Sequence, residues 1–307
     1  MQIQHYLYND IDKKKWDACI SNSLTPSIYC TATYLDTLAD KWEALIVGDF
    51  EIIMPIIYKS KYGIKYCYQP SFLPHINIFC TIPITDILLN KFIVKLQSII
   101  PFAEISFLQT IAHTYFPNNY TINQHQNFEL NLIDTYQHIY NNYTTSFKKS
   151  LRVAQRYQFQ YSTTDNLTDV IIMYKKLYAD KIKSLSEHEL NNFEKLCGIL
   201  ILQGQCVIKK VSDSQQQTMA FVILFVHKNK LYNILSCNTA VGRKLSANYF
   251  MYNEIINEYA GLPYVLDFEG SDIAGIATFF KKMSPIDRPT MALKYNKLPK
   301  IIRLFKA

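Results

Sequence analysis

Between Tyr264 and Met283 the chain reads YVLDFEGSDIAGIATFFKKM. A short apolar strand, Tyr264-Val265-Leu266, runs into Asp267, Glu269, Gly270 and Ser271, groups that can do chemistry. Two carboxylates at the end of a buried strand can take up or hold a proton. The glycine beside them lets another backbone or a ligand come close. Asp267 and Glu269 are two residues apart, so a regular extension turns both side chains to the same side. Gly275 opens the next segment, a short amphipathic stretch with Phe279, Phe280, Lys281 and Lys282. The same residues also suit an ordinary capped strand end, where acidic side chains are common.

A second group of candidates is basic. Lys148, Lys149, Arg152 and Arg156 stand in a stretch with no acid between Asp134 and Asp165. Phe147, Leu151 and Ala154 recur at helical spacing, predicting a helix from Phe147 to Gln158. Lys149, Arg152 and Arg156 then form a stripe on another face. From Lys281 onward eight basic residues face Asp287 alone, within a net charge of +7. Such patches attract anions: cofactor phosphates, RNA or a membrane surface. They equally suit solvated faces.

The elements that must hold these groups follow from periodicity. After the basic helix come a strand (158–162), helices over 168–181 and 187–203, and a three-strand meander (205–211, 218–227, 231–237). Asn238–Leu245 reads as a loop. Ser246–Tyr259 reads as a helix with Ser246 as its N-cap, carrying Tyr249, Tyr252, Ile256 and Tyr259 on one face. The closing strand 264–268 follows, then a final strand 290–295. In the first half a strand at 2–6 precedes strands at 43–47 and 51–58, which flank a hairpin at Gly48-Asp49. A proline-broken stretch to Phe79, a helix over 85–100 and strands at 102–108 and 128–132 complete it. This divides the chain into residues 1–134 and 135–307, each an α/β unit.

At 307 residues two domains are expected. No apolar run approaches the ~20 residues of a membrane-spanning helix. The first residues lack the apolar core of a secretory signal. Seven cysteines are scattered, never as C-x-x-C, which fits free thiols in a reducing compartment and gives no metal site. A cytoplasmic address is expected.

The run D-F-E-G-S, then G, then F-F-K-K resembles the closing strand and loop of Fem-like transferases of the GNAT superfamily of N-acyltransferases. The matching residues are Asp267, Phe268, Gly270, Gly275, Phe280 and Lys281. The stretch FKKSLRVAQR is similar to a family helix through Arg152 and Ala154, and the Gln69-Pro70-Ser71-Phe72 turn is alike in the first half. The resemblance implies a tandem of two GNAT-like domains, each a mixed, mostly antiparallel sheet flanked by helices. It implies an N-acyltransferase moving an acyl or aminoacyl group from a thioester or tRNA-like donor to an amine. The donor would be acetyl-CoA or another acyl-CoA, an aminoacyl-tRNA or an acyl carrier.

In that plan a helix N-terminus takes the donor phosphates, here Arg243, Lys244, Ser246, Ala247 and Asn248, where both glycines of the family pattern Q/R-x-x-G-x-G/A are replaced. Lys149, Arg152 and Arg156 would add phosphate contacts. Asp267 and Glu269 would handle the acceptor's proton, with Lys281 as a cation near the donor. The cleft, between the closing strand and the Ser246 helix, would be lined by Gly270, Ser271, Tyr249, Tyr252 and Phe280. A different reading is a non-catalytic GNAT-like module binding an acidic partner through its basic patches. A third is peripheral membrane association through the tail from Lys297 to Lys306.

Overall fold

The computed structural model describes residues 2–108, 120–178, 185–270 and 273–298. In chain order β1 (Ile3–Tyr6) leads to α1 (Lys13–Asn22), whose first turn is capped by the Asp12 carboxylate accepting from the N–H groups of Lys14 and Lys15. Then come α2 (Ala32–Leu38), β2 (Trp42–Val47), β3 (Ile52–Lys61), β4 (Ile64–Cys67) and the short β5 (Phe79–Cys80). Thr85 caps α3 (Asp86–Ile99), and β6 (Phe102–Phe107), β7 (Tyr120–His125) and β8 (Phe128–Asn131) follow. The next helices are α4 (Tyr136–Asn142) and α5 (Thr145–Ala154), then β9 (Gln160–Thr164), α6 (Leu167–Tyr178) and α7 (Glu187–Leu202). Ser186 and Glu189 form a reciprocal capping box at the start of α7. The meander is β10 (Cys206–Ser212), β11 (Thr218–His227) and β12 (Lys230–Asn238). The chain continues through α8 (Ala240–Lys244), α9 (Ala247–Tyr259), β13 (Val265–Asp267), α10 (Ala274–Lys281), β14 (Ile286–Asp287) and β15 (Thr290–Asn296).

Among the described residues, those up to His125 together with those from Pro289 form one compact unit, and Gln126–Arg288 form the second. The boundary therefore falls at 125/126, ahead of the 134/135 expected from the sequence. β8 pairs with β13 and β14 of the second unit. The final strand β15, expected in the second unit, instead inserts between β6 and β7 of the first. Its apolar side chains decide this: Met291, Leu293 and Tyr295 are buried there, and Tyr295 donates its hydroxyl to the Ile100 carbonyl. Pattern alone marks such a strand but not its partners.

The first sheet has the order β1-β2-β3-β4-β6-β15-β7, with β5 beside β3; among its described strands β4 and β6 are the parallel pair. The second has the order β14-β8-β13-β12-β11-β10-β9, with β12 and β13 parallel and the other pairs antiparallel. Both are mixed sheets flanked by helices. On one face of the second sheet, Phe147 and Leu151 of α5, Met251 and Ile255 of α9 and Phe280 of α10 pack onto Leu130, Leu224, Leu231 and Leu266. Each such fully buried side chain stabilises the fold by about 1.5–3 kcal/mol. On the other face Phe193 of α7 meets Phe225 of β11. No helix among the described residues is long and apolar enough to cross a membrane.

Candidate active site

The parallel pair β12–β13 holds for three residues only: Lys230↔Val265, Leu231↔Leu266 and Tyr232↔Asp267. Beyond Tyr232 the strands part, and β12 runs on to Asn238 with no strand on that side among the described residues. At the parting, β12 carries one extra residue, Ile234, between the pairs Leu224↔Asn233 and Ile223↔Leu235. A bulge of this kind re-aims the side chains that follow it. Asn233, Ser236 and Asn238 pair with Leu224, Val222 and Ala220, which belong to the core beneath α9. Three polar side chains thus line an otherwise apolar face. Asn233 accepts from the Tyr252 hydroxyl at 3.2 Å, Ser236 is exposed, and among the described residues the buried Asn238 amide has no hydrogen-bond partner for either polar atom. An unpaired buried amide is costly unless something polar meets it. None of the three was singled out from the sequence. Their three-then-two spacing, broken by the bulge, was the only signal.

α8 and α9 follow directly. The short α8 occupies part of the expected loop, and Gly242 lies so close to Asn238 Oδ1 and the Met219 carbonyl that a Cβ would sit 2.3 and 2.4 Å from them. Arg243 donates to the Asn238 carbonyl at 2.7 Å, while Arg243 and Lys244 are exposed at the end of α8. Ser246 occupies the N-cap position of α9, but its backbone is left-handed (φ 62°) and its hydroxyl caps nothing. The expected side-chain cap is therefore absent, because the left-handed turn joining α8 to α9 replaces the extended N-cap geometry. Ala247 is fully buried and Asn248 half-buried.

Tyr249, in the first turn of α9, meets Phe147 of α5 at 5.1 Å and Phe279 of α10 at 5.0 Å. Its hydroxyl accepts from Lys282 Nζ at 2.9 Å. The Fem-like resemblance points to Lys281, but Lys281 is exposed, with its ammonium 5.3 Å from the Phe128 ring. The neighbouring lysine is the one that turns toward α9, and a KK doublet does not reveal which will. Beside this pair, Lys149 and Arg152 on α5 and Arg156 in the 3-10 turn extending it are exposed. Among the described residues none of the three is in an ion pair. The stripe spans about 10 Å at helical rise.

The carboxylates lie elsewhere. Asp267 is 0% exposed and sits 2.8 Å from Lys230 Nζ, which also reaches Glu129 at 2.6 Å. Leu231, Leu266 and Leu130 face α9, so Lys230, Asp267 and Glu129, in the alternate positions, face the other side of the sheet. Burial works against the Lys230 charge, but Asp267, Tyr232 and Glu129 outweigh it and hold the ammonium pKa well above its usual value. The expectation that Asp267 opens into a cleft beneath the Ser246 helix fails on this geometry. Nor is the extension regular: Glu269 has φ 59° and Gly270 φ 51°, and the Glu269 N–H donates back to Asp267 Oδ1 at 2.9 Å. Glu269 is half-buried. Gly270 admits a backbone, since a Cβ there would lie 1.8 Å from the Gln126 carbonyl oxygen. Tyr252 and Phe280 are core residues, with Phe280 stacked on Phe268 at 4.6 Å. Ser271 lies outside the described residues, as does the tail beyond Leu298.

No family model and no curated protein sequence matches the chain. Solved structures do. The crystal structure of FemX matches with a TM-score of 0.69 at 11% identity, covering 100% of both chains. A conserved protein of unknown function from Bacteroides thetaiotaomicron VPI-5482 matches with a TM-score of 0.64 at 9% identity, over 93% of this chain and 97% of that one. The C-terminal domain of a protein described as a lysylphosphatidylglycerol synthetase from Agrobacterium fabrum matches with a TM-score of 0.56 at 10% identity, over 95% and 94%. At these identities the likeness is one of fold. The whole-chain likeness in fold to FemX agrees with the Fem-like resemblance of the sequence.

Proposed function

We propose that the chain is an N-acyltransferase whose site is the open seam between β12 and β13, and that its donor is an acyl or aminoacyl group on a polyanionic carrier, an aminoacyl-tRNA in the first instance. The observation that carries this reading is the parting of the two strands beyond Tyr232, which leaves the polar residues Asn233, Ser236 and Asn238 along the free edge of β12. The whole-chain likeness to FemX supports it at the level of fold. Lys149, Arg152 and Arg156, with Arg243 and Lys244, would hold carrier phosphates. A stripe of about 10 Å suits successive phosphates better than one pyrophosphate. An acyl-CoA would use Arg243, Lys244 and the start of α9, and the absence of glycine at Ser246 and Asn248 counts against it.

In the reaction the acceptor nitrogen attacks the acyl carbon, the new C–N bond forms, and the bond from that carbon to the carrier oxygen breaks. Backbone N–H groups along the unpaired edge of β12 would receive the developing oxyanion. Tyr249 would give its proton to the departing oxygen, with the Lys282 ammonium offsetting the charge left on the phenol. Glu269, the carboxylate not sealed in the core, would take the proton from the acceptor amine. Asp267 would act as a positioning residue at the strand end.

A second reading, a non-catalytic module, is favoured by one observation: Asp267 is locked in an ion pair and faces away from the seam. Binding to deacylated bulk tRNA and to acetyl-CoA, measured across a salt series, tests the donor assignment. The expected result is tRNA binding that weakens steeply with salt and drops by at least about tenfold in Lys149→Glu/Arg152→Glu. Binding of acetyl-CoA alone, unaffected by that variant, would replace the tRNA-like donor with a thioester.

A further inference from the structure

α10 departs from the usual division of a surface helix into a buried apolar face and a polar outer face. Inward it buries Ala277 and Phe280. Outward, its N-cap residue Ile273 is 66% exposed and Ile276 42% exposed, with Ala274 and Gly275 exposed beside them. From Ile273 to Phe280 the only polar side chain is Thr278, and its hydroxyl donates to the Ala274 carbonyl at 2.7 Å. The outer face therefore spends its one hydroxyl within the helix.

The charges at the other end have one predominant sign. Lys281 and Lys282 close the helix, and the Thr144 N–H donates to the Lys282 carbonyl at 2.9 Å, which brings the start of α5, with Lys148 and Lys149, alongside. None of these four lysines is in an ion pair among the described residues. The adjoining β14 adds the exposed Ile286, and its Asp287 is followed by Arg288. Over the eight helical steps from Ile273 to Lys281 the distance is about 12 Å along the axis. An apolar face with a cluster of lysines at its edge suits a helix lying in the plane of a bilayer surface, with its apolar face in the acyl boundary and its lysines at anionic headgroups. A nucleic acid would use the lysines but would leave Ile273 and Ile276 without apolar contact.

We infer that α10, with Lys148, Lys149, Lys281 and Lys282, is a docking surface for an anionic lipid bilayer. Lys149 and Lys282 are shared with the proposed donor site, whereas Ile273, Ile276 and Lys281 are not, and the surface stands whether or not the seam transfers acyl groups. Flotation of the full chain with vesicles of phosphatidylcholine alone, and of phosphatidylcholine and phosphatidylglycerol in equal parts, tests it. The chain is expected to float with the mixed vesicles only, and less so as salt rises. Ile273→Ser/Ile276→Ser is expected to cut the bound fraction by about tenfold or more. Lys281→Gln is expected to cut it by about fivefold. The Ile variant should keep the wild-type melting temperature and its binding to bulk tRNA, which separates loss of docking from misfolding and from failure of the donor site. No flotation with the mixed vesicles, or equal flotation by wild type and the Ile variant, would overturn the inference. So would a concentration-dependent dimer that the same variant abolishes.

Discussion

Lys230 bonds two carboxylates at once and is nearly enclosed itself, so the interaction is strong only while all three groups are present. Replacing it by methionine strands the Asp267 charge in a site closed to solvent. The expected cost is about 3–5 kcal/mol, read from urea unfolding. Asp267→Leu added to Lys230→Met should recover much of it, because the uncompensated charge then disappears. His227 gives the matching case for a lone group. Both its ring nitrogens are buried without a hydrogen-bond partner among the described residues, and burial, then the charge of Lys228, pushes its pKa down from 6.5 to about 4. The folded chain binds this proton less readily than the unfolded chain. Stability from His227 is therefore complete above pH 6.5 and is lost as pH falls from there through about 4. Melting temperature should fall across that window, and His227→Gln should flatten the fall. Sequence spacing located Asp267 correctly at a strand end. It could not reveal that the side chain points into Lys230, because the partner is 37 residues earlier on a neighbouring strand.

At the scale of elements, α5, α7, the β10–β12 meander and α9 were legible because their apolar residues recur with clear helical or strand period. The features that make the seam were not. The bulge at Ile234, the left-handed turn at Ser246 and the close packing of Gly242 depend on where the chain returns in space. Two glycines show how the same residue type divides. Gly270 has φ 51° and is pressed against the Gln126 carbonyl, so Gly270→Ala should destabilise by more than about 1–2 kcal/mol. Gly275 sits within α10 with open space around its Cα, so Gly275→Ala should stabilise by about 0.5–1 kcal/mol. Thermal melts of the two variants check the contrast. Neutral behaviour of both would contradict the left-handed turn at Gly270 and its contact with the Gln126 carbonyl. Both glycines match the Fem-like pattern, yet one is fixed by a neighbouring backbone and the other by nothing within reach.

On the scale of the whole chain, a division into two α/β units was readable from element order, but the path of the last strand was not. β15 follows the second unit in sequence and completes the sheet of the first, in register with β6 and β7. The match to FemX along 100% of both chains agrees with a shared architecture at 11% identity, where individual catalytic residues cannot be carried across by alignment. The central claim, that the seam beside Tyr249 and Lys282 is a site of acyl transfer, is tested most directly by following the amino acid itself. Aminoacyl-tRNA carrying a labelled amino acid is mixed with the protein and hydroxylamine, a small amine nucleophile, and hydroxamate formation is timed. A rate well above the protein-free rate is expected, together with a loss of about a hundredfold or more in Tyr249→Phe with tRNA affinity unchanged. A hydroxamate rate equal to the protein-free rate, or a Tyr249→Phe rate equal to wild type, would contradict it.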